Sequence, residues 1–289
     1  MAITLTQLRR EVGQDIGECV VGTVDLASTA SLQDDDLIDL DANDTEYDHA
    51  WIRCYWEDGS GTLYDETRRV RVTDVDTGVK GYDPATGSIY VSRNWSYVMP
   101  ANTQYEIHKL VDPVQLDRLL TNAVQRCQHL YLLALTPVSN QLIYDLSSYT
   151  WLTSPAQVVD VVYAHQPTDT DDARHYPLRW WYVHRKSGGG LELHTRAQSV
   201  TSGDKLYVHV IRPHGDYLGT DDGEDIDERW AKAAALNEVY MYLVHNGPAE
   251  DTERYKALAR LYAARFTEQS RKHAPRFRAI PRHSDEPRD

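Results

Sequence analysis

Cysteine, phenylalanine and methionine are all scarce in this chain. Its 289 residues include 3 cysteines, 2 phenylalanines and 3 methionines. Cys19, Cys54 and Cys127 are far apart and odd in number, a spacing that suits neither a zinc site nor a disulfide framework. We therefore interpret them as reduced thiols and expect assembly in a cytoplasm.

Long hydrophobic runs and cofactor motifs are missing as well. The longest apolar stretch, residues 130–138, is too short to cross a bilayer, and the charged start, residues 1–13, does not resemble a signal peptide. There is no glycine-rich phosphate loop, no metalloprotease helix and no paired-cysteine metal motif. We expect no membrane partner, no metal and no cofactor.

Tyrosine and aspartate are abundant instead. The chain has 19 tyrosines and 7 tryptophans, and rings with a polar atom favour half-buried positions and interfaces. An apolar content of 41% is enough for sizeable cores. The net charge of -14 disfavours broad contact with nucleic acid or anionic membranes. These totals indicate a folded, soluble protein.

Two helices are predicted in the first half of the chain. The first begins at Thr4, where Thr4 and Gln7 can form a capping box. The second begins at Asp112, which is followed by a first-turn Pro113, and its apolar stripe continues to the proline stop at residues 136–137. At 1.5 Å per residue, this second helix would be about 35 Å long.

A helical hairpin is predicted near the end of the chain. Asp225 is placed to cap its first helix, with Glu228 completing a capping box. Gly247 is expected to turn left-handed, and Pro248 to begin the second helix. Because such a hairpin cannot bury both faces alone, we expect subunit contacts at four of its aromatic residues, namely Trp230, Tyr240, Tyr255 and Tyr262.

Between the helices the hydrophobic period changes to two. Residues 51–110 and 141–211 contain short alternating stretches separated by glycine-rich turns, which predicts two antiparallel β modules. The predicted fold class is α+β, a four-helix bundle that carries two antiparallel β inserts. The predicted parts are an N-terminal helix (1–16), a first β module (17–111), a long bundle helix (112–136), a second β module (137–224), the helical hairpin (225–273) and an extended basic tail (274–289).

The end of the chain is basic in an otherwise acidic protein. From residue 271 there is no acidic side chain until Asp285, and the segment contains three prolines. We expect it to be extended and to become ordered only against a partner. The predicted partner-binding residues are Arg271, Lys272, Arg276, Phe277, Arg278 and Arg282.

Histidines and aspartates are the candidate residues for metal binding or acid–base catalysis. Six of the 12 histidines lie between residues 165 and 214, and His184, His194 and His209 could approach one another across strands to bind a metal or act as a base. No carboxylate or cysteine recurs at a fixed spacing beside them, so scattered polar positions on a wet face are favoured. The Asp-rich residues 216–228 are better explained by a loop and a helix cap than by paired catalytic carboxylates.

The acidic stretch 25–48 resembles the start of a calcium loop. However, Asp44 occupies the position where an EF-hand needs glycine, and Ala50 the position of its bidentate glutamate. We interpret the stretch as a solvated loop.

Clustered aromatic residues suggest a candidate carbohydrate-binding surface. Trp180, Trp181 and Tyr182, with Tyr149 and Trp151, could form a surface on which sugars stack. Alternation along a strand places Trp180 and Tyr182 on one face and Trp181 on the other, so a role in the core and at a subunit interface is favoured.

The order of the parts carries a resemblance. The chain begins with a short helix and a β insert that ends in Gln104-Tyr-Glu-Ile-His108. A helix begun by Asp112-Pro113 follows, and then a second β insert that ends in Lys205-Leu-Tyr-Val-His-Val-Ile211. A helical hairpin and an Arg/Pro tail come last in the sequence. In this layout, nearly the whole chain resembles the head-tail connector, or adaptor, proteins of tailed viruses.

The resemblance implies a structural role rather than catalysis. It implies a twelvefold homo-oligomeric ring beneath the portal protein in the neck of the virion, assembled in the host cytoplasm. The C-terminal segment would reach into the portal, a downstream neck or tail protein would bind the other side, and DNA would pass through the bore without specific contacts. Two alternatives stay open: a carbohydrate-binding tail protein, and a hydrolase using His214, Asp222 and Glu224.

Overall fold

The computed structural model describes residues 4–17, 19–57, 61–138, 141–164, 175–178, 180–195, 204–213 and 226–273. In this part of the chain the fold is α+β, with four α-helices and four small antiparallel sheets, roughly one third helix and one third strand. The chain divides into two compact units. Unit 1 comprises residues 1–126 and 215–269, and unit 2 comprises residues 127–214 and 270–289.

The helices begin where local capping signals place them. The Thr4 hydroxyl accepts a hydrogen bond from the Gln7 amide at 3.1 Å, and the Asp112 carboxylate accepts one from the Val114 amide at 2.8 Å, with Pro113 as the first helical residue. Both predicted starts are confirmed. The helices are α1 (Leu5–Asp15), α2 (Pro113–Gln125), α3 (Glu228–Asn246) and α4 (Thr252–His273).

The hairpin is present, but its ends differ from the prediction. The cap of α3 is Asp227, whose carboxylate accepts from the Trp230 amide at 3.0 Å, and Asp225 lies outside the described residues. Gly247 has φ -82° and ψ 178°, so it is extended rather than left-handed. Pro248 precedes a short 3-10 turn, Ala249–Asp251, instead of starting α4. Asp225 and Asp227 have the same side chain and either can cap a helix, so the sequence alone does not show which of them is the N-cap.

The predicted long helix 112–136 is wrong beyond residue 125. Residues 128–135 form a strand that pairs antiparallel with residues 206–213 over eight residue pairs. An apolar run such as Leu-Tyr-Leu-Leu-Ala-Leu suits either a buried helix or a strand, and the available partner strand decides. The second β module therefore begins at residue 128 rather than 137.

Two four-stranded sheets of unit 1 share one core. Their orders are β1-β8-β4-β5 and β2-β3-β7-β6. Fully buried residues from both sheets meet in this core, among them Leu32, Ile52, Ile89 and Ile107. The strands are β1 (Cys19–Thr23), β2 (Leu26–Ala27), β3 (Ser31–Gln33), β4 (Trp51–Glu57), β5 (Leu63–Arg69), β6 (Tyr82–Asp83), β7 (Ser88–Tyr90) and β8 (Gln104–His108).

Unit 2 is built from a four-stranded and a three-stranded sheet. Their orders are β12-β11-β15-β9 and β10-β14-β13. Leu133, Val161 and Val208 of the first sheet and Leu191 and Leu193 of the second belong to one buried cluster, so the sheets enclose a common core. The strands are β9 (Gln128–Leu135), β10 (Ile143–Asp145), β11 (Val158–Ala164), β12 (His175–Pro177), β13 (Trp181–Arg185), β14 (Leu191–Thr195) and β15 (Lys205–Pro213).

One glycine of β1 allows a buried tyrosine to reach an aspartate. Gly22 lies opposite Tyr105 in the β1-β8 pair, and the Tyr105 hydroxyl donates to Asp34 at 2.6 Å. A Cβ atom at position 22 would lie 2.4 Å from the Tyr105 hydroxyl oxygen and 2.5 Å from an Asp34 carboxylate oxygen. The absence of a side chain at Gly22 is therefore needed for this hydrogen bond.

We expect Gly22→Ala to displace Tyr105 and to lower the free energy of unfolding by about 2 kcal/mol, measured by urea denaturation. Gly188→Ala is the matched control, because a Cβ there meets no atom within 4 Å. Equal stability of the two variants would contradict the assigned role of Gly22.

Candidate functional site

The predicted partner-binding segment begins in the last turn of α4. Arg271 and Lys272 are exposed there. The rest of the predicted set, Arg276, Phe277, Arg278 and Arg282, lies outside the described residues. Basic side chains at this end of α4 are also stabilised by the helix dipole. The structure thus places the start of the basic segment at an accessible helix terminus.

The four aromatic residues proposed for subunit contacts pack within a single chain. Trp230, Tyr240 and Tyr255 are at most 5% exposed, whereas Tyr262 is half-buried. The Tyr240 ring stacks on Tyr262 at a centroid distance of 5.6 Å and lies 6.2 Å from Tyr255. These rings therefore hold α4 against α3, and their role at a subunit interface stays a prediction.

Helix α3 is the central helix of unit 1. The Asn237 amide donates to the Ala259 carbonyl of α4 at 3.0 Å, and Lys232 forms an ion pair with Asp15 of α1 at 3.1 Å. Ten of its residues are buried, on more than one side, which is typical of a helix enclosed by other elements. Met241 is an apolar residue of the same helix that is not enclosed, with 47% exposure.

A buried ionic cluster joins two helices to the first sheet. The Arg9 guanidinium of α1 donates to Glu106 of β8 at 2.7 Å and to Asp117 of α2 at 2.5 Å. Arg10 donates to the other Glu106 oxygen at 2.7 Å, and Arg53 of β4 donates to the other Asp117 oxygen at 2.5 Å. Arg9 and Glu106 are at most 1% exposed. Each carboxylate is thus shared by two guanidinium groups.

The hydrogen bonds of this cluster keep Glu106 ionised. Burial by itself would raise the pKa of Glu106, but hydrogen bonds from His108, Arg9 and Arg10 outweigh burial and lower the pKa to about 2. For Arg9, burial opposes the charge, while Glu106 and Asp117 raise the pKa above its ordinary value. Buried charges of opposite sign therefore compensate one another.

A cysteine and a histidine lie beside this cluster without the geometry of a nucleophilic site. The Cys19 sulfur is 3.9 Å from His108 Nε2, and the same nitrogen is 3.2 Å from a Glu106 oxygen. In a catalytic triad the nucleophile and the carboxylate contact opposite ring nitrogens. Burial, reinforced by Glu106, raises the pKa of Cys19 to about 12. The thiol is therefore protonated at neutral pH and is a poor nucleophile.

The structure separates the histidines considered as metal ligands. The rings of His184 and His194 are neighbours, with centroids 5.9 Å apart, whereas His209 belongs to β15 in the other sheet of unit 2. Within the described ranges, no group of three or more His, Cys, Asp or Glu side chains could hold a metal ion. His165 and His214, two of the other histidines of this region, lie outside the described residues.

The acidic stretch 25–48 is partly structural. Asp34 is 3% exposed and accepts the Tyr105 hydroxyl, and the Asp48 carboxylate accepts from the Thr73 amide at 3.0 Å. The expectation of a solvated loop is therefore wrong for much of the stretch, which contains β2 and β3 and in which Asp34 and Asp48 bond to Tyr105 and Thr73. Asp222 and Glu224, named for a hydrolase, lie outside the described residues.

The aromatic cluster of unit 2 divides between core and surface. Trp181, Tyr149 and Trp151 are partly buried against the core of unit 2. By contrast, Trp180 is 40% exposed and Tyr182 is 57% exposed. The predicted alternation of Trp181 and Tyr182 is confirmed, with Tyr182 facing outward.

The ionic cluster around Glu106 and Asp117 was not predicted from the sequence. Arg9 directly follows the apolar residue Leu8, and Glu106 lies between Tyr105 and Ile107 in β8. In a strand, a charged residue between apolar neighbours ordinarily faces solvent, so this pattern does not signal the burial of Glu106. The sequence does not reveal which charge is the partner, because Arg9 and Glu106 are 97 residues apart.

Comparison of the chain with protein families, with curated protein sequences and with solved structures finds no match. Across the described ranges, none of the helices is long and apolar enough to span a membrane.

We expect Glu106→Gln to lower the free energy of unfolding at neutral pH by about 3 kcal/mol, because Arg9 and Arg10 would lose their shared anion in a buried site. Urea denaturation measures this loss. The control is Glu46→Gln, whose carboxylate forms an exposed pair with Lys109 and should contribute less than about 1 kcal/mol. Similar losses in both variants would contradict the assigned role of the cluster.

The effect of Glu106 should depend on pH with a definite sign. Its pKa falls from 4.5 to about 2 on folding, so its contribution is complete above pH 4.5 and is lost as the pH falls towards 2. We expect the stability difference between the wild-type protein and Glu106→Gln to shrink across this window in urea titrations. A stability difference that stays constant between pH 4.5 and 2 would contradict the lowered pKa of Glu106.

Proposed function

We propose that this protein is a head-tail adaptor of a tailed virus. In this proposal, twelve copies form a ring beneath the portal protein, which joins the capsid to a downstream neck or tail protein and lets DNA pass. The observation that supports it best is the way the two β modules are inserted between helices that pack together.

The helices of unit 1 come from distant parts of the sequence. Lys232 of α3 forms ion pairs with Glu11 and Asp15 of α1, at 3.7 and 3.1 Å. Arg126, which ends α2, donates to Glu238 of α3 at 2.8 Å. The helices α1, α2 and α3 therefore contact one another although β1–β8 lie between the first two and β9–β15 between the second and third. This supports a four-helix bundle with two β inserts, the layout of the adaptor resemblance.

The distribution of charge fits passage of DNA. The chain carries a net charge of -14, and an acidic body repels the phosphate backbone instead of holding it. The exposed basic side chains Arg271 and Lys272 at the end of α4 begin the segment that we assign to the portal. Charge of opposite sign on the partner would guide this contact.

A ring needs two different complementary surfaces on each copy. The exposed apolar side chains of the hairpin are Met241, at 47% exposure, and Leu261, at 45%. We assign these side chains, together with the half-buried Tyr262, to the contact between neighbouring copies. The packed rings of Trp230, Tyr240 and Tyr255 would support this surface from within.

We expect the purified protein, with and without the neighbouring portal protein, to form closed rings, because the exposed side chains of the hairpin need a second surface. Native mass spectrometry and negative-stain electron microscopy measure the number of copies and the shape. A monomer that binds no capsid protein would overturn the proposed function.

We expect deletion of residues 271–289 to leave a folded protein that no longer binds the portal, measured by co-purification and by circular dichroism. A sharper variant replaces Arg276, Arg278 and Arg282 by alanine. Its matched control replaces the exposed Arg93, Arg118 and Arg254, which removes the same charge elsewhere. Portal binding by the tail variants at the level of the control would refute the assignment of the tail.

A further inference from the structure

The outer face of the three-stranded sheet in unit 2 carries an unusual set of side chains. Tyr182 of β13 lies opposite His194 of β14, which lies opposite Ile143 of β10. In the next row His184 lies opposite Glu192, which lies opposite Asp145. We call this set the Tyr182 face; it comprises Ile143, Asp145, Tyr182, His184, Glu192 and His194.

The Tyr182 ring is accessible and held in place. It is 57% exposed and stacks on the His194 imidazole, with centroids 4.8 Å apart and planes inclined by 19°. Its hydroxyl lies 3.2 Å from His194 Nδ1, and the His184 ring meets His194 edge-on. Loss of side-chain freedom on binding a ligand would therefore be small.

Polar groups beside the ring are also arranged in advance. Lys186 lies 3.0 Å from an Asp145 oxygen and 3.3 Å from a Glu192 oxygen, and Glu192 lies 3.2 Å from His194 Nε2. Asp145 also accepts from the Ser147 amide at 2.8 Å. His194, which contacts the Tyr182 ring, is thus linked through Glu192 to the further polar groups Lys186 and Asp145.

The opposite face of the same sheet is firmly packed. Leu191, Leu193 and Tyr144 are at most 3% exposed and lie in the core of unit 2. The Tyr182 face therefore stands on a rigid layer, which is the usual support for a binding site.

The composition of this face favours a carbohydrate over a protein partner. The centre of a protein–protein interface is depleted of charged residues, but here the charged groups Glu192, Lys186 and Asp145 lie on the same face as the aromatic ring, beyond His194. A pyranose ring suits the face better, because its apolar C–H side can cover an aromatic ring while its hydroxyl groups bond to carboxylates and imidazoles.

We propose that the Tyr182 face binds a neutral carbohydrate. Asp145 and Glu192 together carry more negative charge than Lys186 balances, so the face disfavours acidic sugars. The lowered pKa values of both carboxyl groups, to about 2 for Asp145 through its hydrogen bonds with Ser147 and Lys186, keep this charge at neutral pH. The site belongs to unit 2 and does not depend on the proposed ring.

Saturation-transfer NMR on the full-length protein tests this inference. The probes are glucose, galactose, mannose and N-acetylglucosamine as neutral sugars, with glucuronic acid and N-acetylneuraminic acid as acidic ones. We expect transfer to at least one neutral sugar and none to the acidic pair. Tyr182→Ala should weaken the binding about tenfold, and Tyr182→Phe, which keeps the ring, should change it less than about threefold.

Tyr176→Ala is the matched control. Tyr176 is a tyrosine of the same unit, 42% exposed, in β12 of the other sheet, so its loss should not change sugar binding. If Tyr182→Ala does not fold, Glu192→Gln replaces it and should weaken binding about fivefold.

Three outcomes would overturn the inference. They are no transfer to any neutral sugar, equal binding by the wild-type protein and the variants of the face, and transfer to the acidic sugars alone. A loss of oligomers in Tyr182→Ala without any sugar binding would identify the face as a protein contact and would also overturn it.

Discussion

The shared carboxylates of Glu106 and Asp117 are the constraint on which unit 1 depends. Arg9 of α1 and Arg53 of β4 meet Asp117 of α2, while Arg9 and Arg10 meet Glu106 of β8. Two helices and two strands are thereby fixed by one set of charges. Removing a single partner would leave an uncompensated buried charge, so each charged member of the cluster depends on the others.

The helices of unit 1 and the sheets of unit 2 are held together by separate sets of contacts. Helices α1, α2 and α3 form a framework closed by ion pairs with Lys232 and Arg126, and β9–β15 form a separate compact unit between α2 and α3. An insert between two helices that already contact one another can change its outer surface without disturbing them. The proposed ring-forming framework and the proposed carbohydrate-binding face can therefore coexist in one chain.

The basic segment, the Tyr182 face and the helical hairpin could be predicted from the sequence to different extents. The basic segment that starts at Arg271 is visible as a run of charge, and alternation along β13 correctly placed Trp181 and Tyr182 on opposite faces. The neighbour of Tyr182 on this face was not predictable, because His194 contacts it only through the pairing of β13 with β14. Likewise, the aromatic stripes of the hairpin are visible in sequence, but only packing shows that Tyr240 and Tyr255 are buried within one chain.

By itself the sequence determined the features that depend on a few neighbouring residues. Thr4 and Asp112 begin helices because their side chains bond to amides two or three positions further on. The tertiary structure alone decided that residues 128–135 form a strand, since that run is compatible with a helix until β15 offers its hydrogen bonds. It also decided that Arg9 and Glu106 are buried, because a charge can leave water only where distant parts of the chain supply its counter-charge.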